Sequence, residues 1–421
     1  MTLHEKIKNN IHKNKDNYIY FLQEMVQQPT VTKYEMDAQI LVADRLREKG
    51  LEVDVWEPDY NELMKSEYFN PRREDYKGSP NVVGVLKGKG HGKSVILNGH
   101  IDVVPAGDKS KWKYDPYGGE IVDGKLYGRG TTDMKGGNIA TLIAMETIIN
   151  LGIRLKGDVI YESVIEEETG GAGTLAAIQR GYTADVAIIP EPSEMRIFPK
   201  QQGSLWFEVT VKGVSAHGGT RYEGVSALEK GWTVFEEIMN LEEKRNDPLR
   251  RNPLYKDNPI PIPINIGQFN GGYFPSAVAE EAIIQGRYGV APGETIEEAK
   301  EDFAVMLDNL KCKDDWFVKK PATVKWGGIH LPPGGCAFDH PMLEILKAKY
   351  VEVEEKEPII AGSTWGTDGG LLTQAGGIPS IIFGPGTTSM AHFTDEYIEL
   401  DNIFKTAEII ALSIIEWCEV E

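Results

Sequence analysis

The 421-residue sequence has few cysteines, no long basic run and no long apolar run. Its cysteines are Cys312, Cys336 and Cys418, an odd number at distant positions, which argues against a disulfide framework and a thiolate zinc site. No stretch approaches the roughly 18 apolar residues that a membrane-spanning helix needs. Residues 1–26 are charged throughout and lack the apolar core of a signal peptide. These absences predict a cytoplasmic protein.

Positive charge is also scarce. The chain has 45 Lys and Arg against 64 Asp and Glu, for a formal net charge of −19. Nucleic acid and anionic membrane surfaces are therefore not expected as partners, because both would repel the chain. With 41% hydrophobic and 26% charged residues the composition is typical of a globular protein. A chain of this length is expected to form more than one domain.

Strand-like and helical segments alternate in the first half of the chain. A long helix is predicted over 135–151. Nearly continuous apolar strands are typical of a sheet covered on both faces, so the pattern predicts an α/β layered domain. The polar segment 56–78 is interpreted as an excursion on the surface. The strand-like runs are LEVDVW (51–56), NVVGVL (81–86), SVILNGHIDVV (94–104) and GDVIYESVI (157–165).

From residue 203 the pattern changes to the order β-α-β-β-α-β. The first of these strands, SLWFEVTVKGV (204–214), alternates apolar and polar residues like a half-exposed strand. This order predicts a split-βαβ, ferredoxin-like unit of α+β type. The predicted organisation is an α/β domain over residues 1–202 and 330–421, interrupted by an inserted domain over 203–329.

Five clusters of residues that can bind metal ions stand where predicted strands end or loops begin, the usual place for sites in α/β folds. Each cluster is weak alone. A surface histidine, a glycine turn capped by aspartate, a solvated acidic run or a helix start is the competing interpretation. The candidates are His100 and Asp102 in NGHIDVVP, Asp133 in GRGTTDMKGG, Glu166, Glu167 and Glu168 in EEETGG, Glu191 in IPEPS, and His392 in AHFTDE.

Local chemistry favours some of these interpretations. Asp102 points to the same side of an extended chain as His100, so its carboxylate is expected to accept the second ring N–H of that histidine. The adjacent glutamates 166–168 repel one another, which makes a shared position at a strand end costly without cations. A phosphate-binding loop is the rival interpretation of 128–137, but neither the G-x-x-x-x-G-K-S/T pattern nor the G-x-G-x-x-G pattern occurs there.

Taken together, six motifs in this order closely resemble those of the M20 metallohydrolases, which include acetylornithine deacetylase and succinyl-diaminopimelate desuccinylase. The resemblance covers essentially the whole chain. It implies a zinc-aminopeptidase-like α/β catalytic domain with an inserted α+β domain that acts as a lid and dimerisation domain, and therefore a homodimer. The motifs are GHIDVVP, GRGTTDMKGG, EEETGG, IPEPS, VSAHGG and AHFTDE.

The resemblance implies a set of metal ligands. His100 and Glu191 would complete one metal site, and Glu168 and His392 would complete the other. Asp133 would bridge the two, followed directly by a cis peptide bond. The expected metals are two Zn²⁺, although Co²⁺ or Mn²⁺ would bind comparable donors.

The resemblance also implies the chemistry of amide hydrolysis. Glu167 would be the general base for a water activated by the two metals, and Asp102 would orient His100. His217, in VSAHGG, would reach the active site of the partner subunit and stabilise the oxyanion. Arg287, in QGRYGVAPGE, would bind a substrate carboxylate, although a salt bridge at the rim explains it nearly as well.

One stretch departs from the family pattern. Family members commonly carry an Asn-Val-Val-Pro-type stretch whose Asn lies near the substrate, whereas this chain has Pro-Ser-Ala-Val-Ala over 275–279. Ser276 is shorter than Asn and has a different set of donors, so an Asn-dependent contact is not carried over.

The main functional hypothesis is hydrolysis of a small N-acetyl amino acid, such as N-acetylornithine, by attack of a metal-bound water. A first alternative is deformylation of a formylated aminopyrimidine, whose ring could stack on Trp365 in GSTWGTDGG. A dipeptidase with the same site is another. The hypothesis from a different class is a non-catalytic metal-binding scaffold, which is disfavoured because every expected ligand and Glu167 are present.

Overall fold

The structure is a computed structural model that describes all residues from Met1 to Glu421. None of its helices combines the length and apolarity that crossing a bilayer requires. The helices are α1 (Leu3–Lys13), α2 (Lys15–Val26), α3 (Met36–Glu48), α4 (Tyr60–Leu63), α5 (Gly136–Asn150), α6 (Ala172–Gln179), α7 (Ala227–Leu249), α8 (Ile296–Asn309), α9 (Trp316–Lys319), α10 (Pro341–Glu354), α11 (Gly369–Gln374) and α12 (Leu400–Cys418). The strands are β1 (Glu52–Trp56), β2 (Asn81–Leu86), β3 (Val95–His100), β4 (Ile121–Val122), β5 (Lys125–Tyr127), β6 (Val159–Val164), β7 (Val186–Ile189), β8 (Ile197–Gln201), β9 (Gly203–Lys212), β10 (Ile264–Gly271), β11 (Glu281–Val290), β12 (Thr323–Leu331), β13 (Gly334–Gly335), β14 (Ile360–Ser363), β15 (Ser380–Ile382) and β16 (Tyr397–Glu399).

The larger sheet is mixed and has nine strands in the order β1-β2-β6-β3-β7-β15-β8-β13, with β14 beside β8. At its centre β6, β3 and β7 are parallel neighbours, and β15 runs parallel to β7. Every residue of β3, β6 and β7 is buried. Strands covered on both faces carry apolar side chains in both directions, which explains the apolar residues that begin each of these strands. Asn98, His100, Glu162 and Ser163 are buried polar residues nearer the strand ends. The predicted α/β class is confirmed.

Two long apolar helices form much of the core beside this sheet. Helix α5 is buried without interruption from Gly136 to Ile148 and contacts α12, β3 and β6. Helix α12 is buried along most of its length and also contacts α1 and α10. Burying one Leu or Ile side chain contributes about 1.5–3 kcal/mol, so this packing holds the first turn of α5 in a fixed place.

The smaller sheet has four antiparallel strands in the order β10-β11-β9-β12. Helix α7 follows β9 and α8 follows β11, which is the split-βαβ arrangement that the sequence predicts. Buried side chains alternate with more exposed ones along the second half of β9, because one face of the sheet packs on the core of this unit. Phe207, Tyr288 and Phe303 belong to that core.

Contacts divide the chain into two compact units. The first comprises Met1–Lys200, Gly334–Ala361 and Thr367–Glu421, and the second comprises Gln201–Pro333 and Gly362–Gly366. The predicted division placed its boundaries at 202/203 and 329/330 and assigned the short loop 362–366 to the α/β domain, whereas this loop clusters with the second unit. The role of the inserted domain as lid and dimerisation domain stays a prediction.

The polar segment between β1 and β2 lies largely on the surface, as predicted, but a few of its side chains are buried, which was not predicted. It contains α4, and it buries Leu63 and Tyr76 together with the side chain of Arg73, which is 6% exposed. The burial of Arg73 could not be predicted from this charged segment, because the ion-pair partner of the arginine lies far away in the sequence.

Candidate metal centre

Three parallel strands bring the predicted site residues to one edge of the larger sheet. β3 ends at His100, Glu167 follows β6, and Glu191 follows β7. Because β6, β3 and β7 are adjacent and parallel, their carboxyl ends meet at the same edge, where α/β sheets bind ligands.

Asp133 lies between the two histidines of the predicted site. His100 Nε2 is 3.2 Å from Asp133 Oδ1 and 3.6 Å from Glu191 Oε1. His392 Nε2 is 3.2 Å from Asp133 Oδ2 and 3.1 Å from Glu168 Oε1. The two oxygens of one carboxylate thus face two different imidazoles, an arrangement that allows one aspartate to bind two ions. The role of each residue stays a prediction.

Potential ligand atoms form two overlapping groups, each with its members within 4.8 Å of one another. One group is His100, Asp133 and Glu168, and the other is His100, Glu167 and Glu191. His100 belongs to both. Distance alone therefore does not distinguish Glu167 as a free base from Glu167 as a ligand.

Burial sets the direction of the pKa shift for the two glutamates of this cluster, and hydrogen bonds and nearby carboxylates set it for the two histidines. Burial raises the pKa of Glu167 and of Glu191 well above the usual range, and the charge of Asp133 adds to the effect on Glu191. Hydrogen bonds to Asp133 and Glu168 raise the pKa of His392 to about 11. Burial lowers the pKa of His100, but the hydrogen bond to Asp133 and the nearby carboxylates outweigh it and raise that pKa.

The donor set fits two divalent cations. Four buried or nearly buried carboxylates surround two imidazoles, and such an excess of negative charge is stabilised by cations. Imidazole nitrogen and carboxylate oxygen suit Zn²⁺ and also bind Co²⁺ or Mn²⁺. The cluster is not symmetric, because the side chain of His100 is 1% exposed and that of His392 is 52% exposed.

Comparison with known proteins agrees with this geometry. The family model described as "Peptidase family M20/M25/M40" matches residues 96–416. The chain belongs to this family. The M20 hydrolase is 31% identical over 436 residues to N-formyl-4-amino-5-aminomethyl-2-methylpyrimidine deformylase from Halalkalibacterium halodurans, a match that covers 99% of this chain and 98% of the relative.

Two further relatives extend the comparison. Acetylornithine deacetylase from Salmonella paratyphi B is 27% identical over 361 residues, covering 83% of this chain and 87% of the relative. The solved structure of the di-peptidase Dug1p from Saccharomyces cerevisiae has a TM-score of 0.76 at 14% identity, and covers 99% of this chain and 98% of that chain. It shows the same fold. Membership of the family implies a dinuclear metal site.

Asp102 acts differently from the expectation. His100 Nδ1 lies 2.9 Å from the main-chain oxygen of Asp102, whereas the nearest carboxylate oxygen, Oδ1, is 3.7 Å away. The predicted hydrogen bond from the ring to the carboxylate is therefore replaced by one to the carbonyl. The carboxylate instead accepts the backbone N–H groups of Glu167 and Glu168, both at 3.2 Å. The carboxylate of Asp102 therefore fixes the backbone of Glu167 and Glu168.

A buried ion pair connects the loops of Asp133 and His392. Glu396 Oε1 accepts the backbone N–H groups of Thr132 at 2.9 Å and Asp133 at 3.2 Å. Glu396 Oε2 lies 2.6 Å from Arg129 Nη1, and Arg129 Nη2 donates to the main-chain oxygen of His392 at 3.2 Å. Both residues stand inside the motifs GRGTTDMKGG and AHFTDE, yet the letters alone do not reveal that they pair.

Asp368 is another carboxylate of the centre that the sequence did not single out. Its side chain is buried, and Thr174 Oγ1 donates to its Oδ2 at 2.7 Å. Burial raises its pKa to about 6, and its charge contributes to the raised pKa of Glu167 and of Glu191. It stands directly before the short helix α11, in a stretch without periodic pattern.

The glycine-rich loop before α5 has geometric reasons for its glycines. Gly130 has a φ of +81°, and a Cβ there would lie 2.4 Å from Val103 Cγ1. A Cβ on Gly137 would lie 1.9 Å from the main-chain oxygen of Pro190, so the start of α5 can approach the Glu191 loop only without a side chain. The peptide bond after Asp133 is cis, as the resemblance implies.

His217 and Arg287 lie in the second unit, so the metal ligands and these two residues belong to different units. His217 is exposed in the turn after β9, where its Nδ1 accepts the N–H of Gly219 at 3.1 Å. Arg287, on β11, donates from Nε to Ser204 Oγ at 3.0 Å and from Nη2 to the main-chain oxygen of Thr364 at 3.5 Å. Their catalytic and substrate-binding roles stay predictions.

Ser276 also lies in the second unit. Its main-chain oxygen accepts the N–H of Gly218 at 2.7 Å, directly after His217. Here the backbone of the 275–279 stretch fixes the histidine turn, a contact for which the side chain at 276 is not needed.

Proposed function

We propose that the protein removes the formyl group from a formylated aminomethylpyrimidine. The observation that carries the proposal is the extent of similarity: the deformylase matches 99% of this chain at 31% identity, whereas the acetylornithine deacetylase matches 83% at 27%. The deformylase alternative is therefore favoured over hydrolysis of an N-acetyl amino acid.

In this proposal the ligands predicted from the sequence hold two divalent cations. They are His100, Asp133, Glu168, Glu191 and His392. When bound, two such ions lower the pKa of a water molecule and polarise the amide carbonyl. Zn²⁺ is the proposed metal, because this donor set suits it.

Glu167 is the proposed general base. Its carboxylate takes a proton from the attacking water and returns it to the nitrogen of the leaving amine, so that formate and the free aminomethyl group result. The residue is buried, and Asp102 holds its backbone N–H at 3.2 Å. A base fixed by its own backbone keeps its position during both proton transfers.

Trp365 is the proposed contact for the pyrimidine ring. Its backbone is tied to Ser363, whose Oγ donates to the Trp365 carbonyl at 2.6 Å and accepts the Trp365 N–H at 3.1 Å. Arg287 donates to the preceding carbonyl, that of Thr364. An indole on a loop fixed in this way offers a flat apolar surface to a flat ring.

One observation favours the second candidate, hydrolysis of an N-acyl amino acid. Arg287 is partly buried beside neutral oxygens of Ser204 and Thr364, and desolvation lowers its pKa to about 10. A partly desolvated cation gains from an anionic partner, and a substrate carboxylate would be one. A formylated aminomethylpyrimidine has no carboxylate, so the two candidates make different use of this arginine.

Steady-state kinetics of the zinc-loaded protein tests the proposal. The substrates are a formylated aminomethylpyrimidine, N-acetylornithine and a dipeptide. We expect kcat/KM for the formyl compound to exceed the other two by about 100-fold or more, a difference of roughly 3 kcal/mol in transition-state binding.

Glu167→Gln is the control for this screen, because it keeps the shape of the side chain and removes the base. Faster turnover of N-acetylornithine would replace the proposal with the second candidate. Equal, negligible rates for all three substrates in the wild-type and Glu167→Gln proteins would favour the scaffold.

A further inference from the structure

We propose that Arg73, from the polar segment between β1 and β2, is a positioning residue for the acidic loop 166–171. Arg73 Nε lies 2.7 Å from Glu166 Oε1, and the two side chains are 6% and 2% exposed. The inference rests on the proposed roles of Glu167 and Glu168, and it holds for whichever amide the enzyme hydrolyses.

Glu166 determines how the acidic loop begins. It has φ +61° and ψ +27°, in the left-handed region that residues with side chains rarely adopt. Its main-chain oxygen accepts the N–H groups of Gly170 at 3.0 Å and Gly171 at 2.7 Å, which closes the turn. Whatever holds Glu166 therefore holds the two residues that follow it.

Arg73 is itself fixed from several sides. Its Nη1 donates to Ser79 Oγ at 3.0 Å, and Ser79 Oγ donates to Glu35 Oε2 at 2.7 Å. Arg73 Nη2 lies 3.8 Å from Glu35 Oε1, and the guanidinium stands 4.6 Å from the centre of the Tyr76 ring. A planar guanidinium that donates to Ser79 and lies over the Tyr76 ring is oriented before it meets Glu166, which a flexible lysine would not be.

The acidic loop is thus held at two points. Arg73 binds the side chain of Glu166, and Asp102 binds the backbone N–H groups of Glu167 and Glu168. Loss of Arg73 leaves a buried carboxylate without its nearest counter-charge, which is strongly unfavourable. We expect the loop to move so that Glu166 reaches water, and Glu168 to leave its place 3.1 Å from His392 Nε2.

Titration of the metal-free Arg73→Met protein with Co²⁺ tests the inference, because the visible spectrum of Co²⁺ reports its ligands apart from activity. We expect one equivalent to bind as in the wild type and the second to bind at least 10-fold more weakly. With the metal sites filled, kcat is expected to fall about 10–100-fold and KM to stay within about 2-fold, the size of effect that residues behind metal ligands show.

The neighbouring Arg72→Met is the matched control, since Arg72 is exposed and lies next to Arg73 in the sequence. It should leave the Co²⁺ spectrum, kcat and KM unchanged. The double variant Arg73→Met/Glu166→Gln should recover part of the affinity for the second Co²⁺, because no uncompensated carboxylate remains. The affinity of Arg73→Lys for the second Co²⁺ should lie between those of the wild type and Arg73→Met. This variant replaces Arg73→Met in the test if Arg73→Met does not fold.

A wild-type Co²⁺ spectrum and unchanged kcat in Arg73→Met, even with a lowered Tm, would overturn the inference and leave Arg73 a structural residue only. Failure of the proposed deformylase function looks different. The substrate preference would change in wild-type and variant alike, while the effect of Arg73→Met on the second Co²⁺ would remain.

Discussion

The two units of this M20 hydrolase differ in how their predicted functional residues are held. In the first unit His100 Nε2 lies 3.2 Å from Asp133 Oδ1, the two side chains are 1% and 13% exposed, and Asp102 and Glu396 fix the loops around them. In the second unit His217 is exposed and caps a turn. The first unit therefore assembles its chemistry from its own residues. The proposed role of His217, in contrast, requires a group from outside its unit.

The largest effect should come from the first unit. Glu167→Gln removes the proposed proton acceptor, and kcat should fall by about 10³-fold, within the range for a general base. The metal content, measured by atomic absorption after gel filtration, should equal that of the wild type because the ligands are intact. Loss of a metal ion together with activity would instead make Glu167 a ligand, as its place beside His100 and Glu191 allows.

The second unit should give the next largest effect. His217→Ala is expected to lower kcat by about 10²-fold if the histidine stabilises the oxyanion. If it acts in the partner subunit, mixing His217→Ala with Glu167→Gln after partial unfolding and refolding should restore about a quarter of the wild-type rate, because half of the dimers are mixed and each has one intact site. No recovery of activity on mixing would show that His217 acts only within its own chain.

Substitution of Arg287, also in the second unit, distinguishes the two candidate substrates by its effect on KM. Arg287→Met should raise KM for N-acetylornithine about 30-fold if the guanidinium binds its carboxylate. For the formyl compound KM should change by about 3-fold or less, through the loop that Arg287 contacts at Thr364. Equal effects on both substrates would mean that the arginine serves the loop alone.

The smallest effect concerns pH and the stability of the second unit. Burial, with a contribution from Lys300, lowers the pKa of His330 to about 4. Because the folded pKa lies below the unfolded value of about 6.5, the stability contributed by neutral His330 is complete above pH 6.5 and is lost as the pH falls towards 4. His330→Gln should lessen this loss by about 2 kcal/mol at pH 5.

Urea unfolding of the wild type and of His330→Gln at pH 5 and pH 8 measures this difference. The values at pH 8 serve as the control, because His330 is neutral there in both states. The same difference between the two proteins at both pH values would show that His330 contributes through packing and not through its titration.

The sequence predicts the first unit well for a physical reason. β3, β6 and β7 each begin with apolar residues; His100 is the last residue of β3, and Glu167 and Glu191 follow within three residues of the ends of β6 and β7. Parallel strands place such ends together, so the strand pattern places the candidate residues at one edge of the sheet. The grouping of these residues into metal sites came from the resemblance to the M20 family. The β-α-β-β-α-β order of the second unit could likewise be predicted from the local sequence pattern of each element.

Partners that are distant in sequence could not be predicted. Arg73 and Glu166 are joined across a polar segment that has no periodic pattern, and Arg129 pairs with Glu396 from the far end of the chain. The carboxylate of Asp102 was expected to bind the ring of His100, but two backbone N–H groups compete for it more effectively. Hydrophobic periodicity shows where a chain is buried and does not show which polar groups pair.

Anomalous X-ray scattering at the zinc edge, from crystals of the zinc-loaded protein, tests the central claim most directly. The account predicts two peaks, one bound by His100 and Glu191 and the other by Glu168 and His392, each with an oxygen of Asp133 at about 2.0–2.2 Å. A single peak, or two peaks of which Asp133 touches only one, would contradict it.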